Sequence, residues 1–152
     1  MPLKYFLHLH FIMALVTFYE KPGCMGNARQ KQLLIEAGHR VQAVDLLSEP
    51  WSAERLNGFF GNLPVQEWFN PAASRIKSGE VTPAALKAEQ ALKLMLGDPL
   101  LIRRPLMQVG DECLVGFDLV KVEAWIGLSP KTDLSQDVQK CRMPSQNESR
   151  CP

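Results

Sequence analysis

LVTFYEKPGCMGNARQKQLLIEAGHRVQAVDL, residues 15–46, holds a complete strand, helix and strand. Residues 15–19 are β-branched and aromatic and run into Lys21-Pro22-Gly23, the composition of a short buried strand ended by turn residues. Asn27 is the expected N-cap of a helix through Ala37, in which Leu33, Leu34 and Ala37 form one apolar stripe, and Gly38 stops it. Residues 41–46, apolar with β-branched members, supply the second strand. Strand, helix and strand within about 30 residues predict a parallel pair joined by a right-handed crossover.

Downstream, Ser52 is expected to cap a short helix over 53–60, and residues 64–80, with prolines, glycine and mixed polarity, read as short helical turns and loops inserted in the plan. Thr82-Pro83 has the form of an N-cap before a proline at the first helical position. It predicts a strong helix through Leu96 that Gly97 closes. Residues 100–102 and 106–109 are apolar strand candidates flanking Arg103-Arg104-Pro105, and Gly110-Asp111-Glu112 reads as a hairpin turn before a strand at 113–115. Residues 119–126 make a last amphipathic helix. The order is β-α-β, a helical insert, then β-β-α: an α/β chain with a mixed four-stranded sheet and a thioredoxin-like plan, carried by residues 13–128.

The two ends read differently. Residues 1–12 are apolar but contain Lys4, His8 and His10, lack a small-x-small cleavage site and are too short to span a bilayer; they are expected to be an added extension, with Met13 a plausible natural start. Residues 129–152, with few large apolar side chains and many Ser, Gln, Asp and Lys, are expected to be a disordered tail. The 152-residue chain is 46% hydrophobic, enough for one core, and its 17 basic against 16 acidic residues give a net charge of +1. That balance points to no nucleic acid, and no membrane partner is expected.

Four cysteines, Cys24, Cys113, Cys141 and Cys151, are spread without a C-x-x-C pair. A reducing, cytoplasmic setting fits that spacing better than a disulfide framework or a zinc knuckle. The His8-x-His10 pair is too little for a metal site, so none is expected. Cys24 stands where the first strand hands over to the first helix. There it faces unpaired backbone N–H groups and the positive end of the helix dipole, which favour a thiolate nucleophile. Gly23 and Gly26 bracket it and admit close approach of another molecule, and Asn27 is positioned to direct its amide toward the sulfur. On position alone, a small buried hydrophobe remains the other reading of a lone cysteine. Arg104-Pro105 is a candidate cis peptide that would set Arg104 beside Cys24, whereas Arg103 reads as a solvated charge at a strand end.

Tyr19-Glu20-Lys21-Pro22-Gly23-Cys24, with Asn27 and Arg29-Gln30-Lys31, then Glu67-Trp68-Phe69-Asn70 and Leu101-Ile102-Arg103-Arg104-Pro105, resemble in this order the arsenate reductase (ArsC)/Spx family of thioredoxin-like proteins, and within it the nitrogenase-associated branch. The resemblance implies a nucleophile at Cys24 and an oxyanion-binding arginine at Arg104. Two further arginines that surround the oxyanion in the glutaredoxin-coupled reductases fall at Asn70 and near Val115-Gly116; Arg29 or Arg75 are the candidates to replace them. The second cysteine of the redox-switch regulators falls at Asn27.

What the resemblance then implies is a monothiol that cycles through a mixed disulfide, with arsenate turnover doubtful. No bound cofactor is expected, with glutathione as co-substrate and glutaredoxin as partner. The alternative is a non-catalytic accessory protein that binds a partner linked to nitrogen fixation. A monomer is expected in either case.

Overall fold

The structure, a computed structural model, describes residues 13–139. The readings for residues 1–12, for Cys141 and for Cys151 lie outside the described residues. The chain runs β1 (Leu15–Glu20), α1 (Met25–Glu36), β2 (Arg40–Asp45), α2 (Ala53–Phe60), α3 (Ser74–Lys77), α4 (Ala88–Gly97), β3 (Leu106–Val109), β4 (Glu112–Val115) and α5 (Leu119–Ile126). Tight 3-10 turns occupy Val65–Trp68, Pro83–Ala85 and Pro99–Leu101.

The sheet has four strands in the order β2-β1-β3-β4. β1 pairs parallel with β2, Val16 opposite Val41, because α1 carries the chain back before β2 begins. β3 lies antiparallel to β1 with Phe18 opposite Met107, and Gly110 turns β3 back onto β4. This is the mixed α/β sheet with a helical insert that the order of elements predicts.

Side-chain alternation along the strands sorts the core into two layers. Val16, Phe18 and Met107 point to the face covered by α1 and α5, where they meet Leu34, Phe117, Leu119 and Val122. Tyr19 and Leu106 point to the opposite face, onto Leu56, Phe59, Phe60, Ala91 and Met95 of α2 and α4. The insert is therefore the second wall of the sheet.

Three local expectations need correction. The helix foreseen from Pro83 begins at Ala88. Thr82 and Pro83 open only a 3-10 turn, because Leu86 leaves helical geometry (φ −101, ψ 140) and the N–H of Lys87 is taken by the Gln90 side chain at 2.9 Å, starting the helix afresh. Residues 100–102 form no strand: Asp98 accepts from the N–H of Leu100 and closes a 3-10 turn, leaving Ile102 in a single bridge to Phe69. The third concerns the expected disordered tail. Residues 129–139 are mostly exposed but anchored: Val138 lies 3% exposed in the core layer beneath α1, and its carbonyl accepts from Gln30 Nε2 at 2.7 Å.

His39, 4% exposed, is a structural pin. Its Nδ1 accepts from the N–H of Ala14 at 3.0 Å, so Nε2 carries the proton that it gives to the carbonyl of Gly127 at 2.7 Å. His39→Leu leaves both backbone groups without the ring, and chemical denaturation is expected to show a loss of about 1–3 kcal/mol.

Candidate functional site

The N–H of Cys24 donates to the carbonyl of Lys21 at 3.1 Å, and Gly23 has φ +81. Proline second and a positive-φ glycine third is the pattern of a type II turn, which ends β1 abruptly and delivers Cys24 to the start of α1. Cys24, rather than Asn27, is the helix N-cap (φ −74, ψ 119), and it is half-buried. Its side chain makes no capping hydrogen bond to the helix. Its charged neighbour is Arg104, whose guanidinium lines the same cavity and interacts with the sulfur across the gap between α1 and the start of β3. The Arg104-Pro105 peptide is cis.

Burial lowers the Arg104 guanidinium from its usual value, and the charge of Cys24 and its hydrogen bond oppose that shift. The result is a cation that stays charged at neutral pH. Lys21 sits close by; partial burial and repulsion from Arg104 pull its ammonium down, while Cys24 works the other way. Two cations therefore act electrostatically on one sulfur.

A cavity of about 670 Å³ opens over this group, walled by Cys24, Gly26, Asn27, Asn70, Arg103 and Arg104, and by Asp137 and Gln139 from the C-terminal segment. Gly23 and Pro105 do not line it; they shape the backbone beneath Cys24 and Arg104. Arg29 does not line it either, because its guanidinium is bonded to Gln136 on the outer side of the segment. Arg75, the other candidate replacement, is held by Glu80 and Asp98, each at 3.0 Å.

Asn27, 3% exposed, serves the backbone and Gln30, not the sulfur toward which its amide was expected to point. Its Oδ1 accepts from the N–H of Lys21 at 3.2 Å and its Nδ2 donates to Gln30 Oε1 at 2.9 Å. Gln30 in turn donates to the carbonyl of Val138. This buried relay locks the cysteine turn, α1 and the C-terminal segment together. Asn70, also buried, spends its Oδ1 on the N–H of Ala72.

A search against protein families matches residues 19–125 to the ArsC family. The chain belongs to the ArsC family. A protein of Rhodospirillum rubrum, an uncharacterized 15.7 kDa protein in the draG 3' region, is 52% identical over 139 residues, 91% of this chain and 95% of its own length. An ArsC-related protein of Brucella melitensis is 25% identical, covers 72% of this chain and 92% of its own, and superposes with a TM-score of 0.57. The arsenate reductase of Vibrio cholerae shares the fold at 21% identity, with 69% and 92% coverage and a TM-score of 0.59.

Sequence reasoning passed over Lys21, Gln30 and Arg103 at this ArsC-type site. The i, i+3, i+7 spacing of Asn27, Gln30 and Leu34 on one face of α1 was a usable signal for Gln30, since it puts two amides on the stripe that Leu34 buries. Arg103 carried no such signal.

Among the described residues Cys24 and Cys113 are the thiols, and no group of His, Cys, Asp and Glu could hold a metal. No described helix is long and apolar enough to cross a membrane. Burial pushes the Cys113 thiol up, so less of it is thiolate at any given pH. Brief iodoacetamide treatment at neutral pH is therefore expected to label Cys24 well ahead of Cys113. Peptide mapping checks this, and equal labelling would contradict it.

Proposed function

We propose that this ArsC-family protein is a monothiol oxidoreductase in the cytoplasm, in which Cys24 forms a mixed disulfide with glutathione and an external dithiol such as glutaredoxin resolves it. The observation that carries the reading is the half-buried Arg104 guanidinium placed with the Cys24 sulfur in the wall of one open cavity, where the two interact electrostatically. A cationic donor strengthens most when its acceptor is charged, so Arg104 favours the thiolate that attacks and the thiolate that leaves. The attack breaks the disulfide of oxidised glutathione, joins one sulfur to Cys24 and releases the other as glutathione thiolate. Asn27 and Gln30 hold the turn in place through the exchange, and Gly26 leaves the approach open.

Arsenate is a poor candidate substrate. Asn70 and the neighbourhood of Val115-Gly116 stand where the family resemblance implies arginines, and each charge-assisted hydrogen bond is worth about 1.5–3 kcal/mol. Incubation with arsenate, glutathione and glutaredoxin is expected to give no arsenite above a Cys24→Ser control. Cys24-dependent arsenite production would overturn this narrowing.

The same two positions favour a second reading, an accessory protein that binds a partner linked to nitrogen fixation. Partners recovered equally by the wild type and Cys24→Ala would support it. Loss of every partner on that change would favour the thiol chemistry.

A further inference from the structure

Arg103 lies in the wall of the Cys24 cavity, with its guanidinium against Gly116. Gly116 has φ +75, and a Cβ there would stand 2.8 Å from Arg103 Nε and 3.0 Å from Nη2. Only glycine leaves this seat open. The seated guanidinium donates from Nη1 to the carbonyl of Glu67 at 3.3 Å and from Nη2 to Gln139 Oε1 at 2.8 Å. Both acceptors are neutral, and among the described residues Arg103 forms no salt bridge. A positive charge facing a cavity is thus held in place by groups that do not neutralise it.

We propose that Arg103 is the carboxylate-recognition residue of the Cys24 cavity, taking a carboxylate of a peptide thiol or disulfide of the glutathione type. The proposal rests on the thiol-exchange reading above and names its specificity. The amide oxygen of Gln139 occupies the place of one carboxylate oxygen, so an incoming carboxylate exchanges a neutral acceptor for a charged one on the same fork of donors. Arg103 and Arg104 are neighbours in sequence and line one cavity, which puts a carboxylate site in the same cavity as the reacting sulfur. A volume of about 670 Å³ is ample for a tripeptide. Lys77 and Arg104 add positive charge to the wall, against Glu67 and Asp137, so a ligand with one net negative charge meets a favourable field.

The test compares an anionic with a neutral disulfide. Oxidised glutathione and hydroxyethyl disulfide are each reacted with the reduced full-length protein, and the adduct on Cys24 is timed by mass spectrometry. Arg103→Gln is expected to slow the glutathione reaction about tenfold and to leave the hydroxyethyl reaction unchanged. Gln139→Glu, an exposed change that supplies the chain's own carboxylate to Arg103, is expected to slow the glutathione reaction selectively as well. Equal slowing of both reagents in both variants, or of neither, would overturn the proposal. Binding of S-methylglutathione to Cys24→Ser, measured by calorimetry with and without Arg103→Gln, separates the two claims. Arg103-dependent binding without Cys24 reactivity would leave the carboxylate site standing and remove the exchange chemistry. Reactivity toward the disulfides without Arg103-dependent binding would do the reverse.

Discussion

Arg104→Leu is expected to slow alkylation of Cys24 at neutral pH by about 10- to 100-fold, while Cys113 is labelled as before. The effect is local. The guanidinium acts on the sulfur from a half-buried position, where water screens the interaction less than at the surface. A charged donor beside a charged acceptor contributes about 1.5–3 kcal/mol, and that full gain is reached only when the sulfur is ionised. Leucine keeps most of the apolar stem volume but offers no donor. Lys21 remains near the sulfur, so residual reactivity is expected rather than none. Arg104→Lys, which keeps a charge but loses the planar fork, should fall between the two. An unchanged rate in Arg104→Leu would mean that the contact has no part in activating the thiol.

Ending the chain after Leu128 is expected to destabilise the protein by about 3–6 kcal/mol in chemical denaturation. Val138 would leave the core layer, and burying such a side chain is worth about 1.5–3 kcal/mol. Gln30, 1% exposed, would lose the carbonyl that its Nε2 serves, at a further cost of about 1–3 kcal/mol. The shortened protein should also lose part of its cavity wall, since Asp137 and Gln139 come from the removed segment. A loss below about 1 kcal/mol would mark residues 129–139 as an appendage, as their composition implies.

That contrast shows where reading the sequence succeeded and where it did not. β1, α1 and β2 were legible because β-branched and aromatic residues, a Pro-Gly turn and a closing glycine all agree over 15–46. The C-terminal segment was not, because one buried valine and a few hydrogen bonds from distant residues secure it, and an average over 24 mostly polar residues conceals them. Thr82-Pro83 predicted a helix start, yet the same signal suits a 3-10 turn, and the competing bond from Lys87 to Gln90 decided between them. Asn27 sits three residues after the cap, close enough in sequence to be mistaken for it; the Pro22-Gly23 turn had already placed Cys24 there. Arg103 reads as a strand-end charge until Gly116, 13 residues away in sequence, is brought beneath it.

The central claim is that Cys24 is a reactive monothiol that exchanges with glutathione. The direct measurement is the intact mass of the reduced protein after brief exposure to oxidised glutathione, followed by glutaredoxin with reduced glutathione. The account predicts one glutathione on Cys24, absent in Cys24→Ser and removed by glutaredoxin. No adduct at Cys24, or an adduct of the same yield in Cys24→Ser, would contradict it.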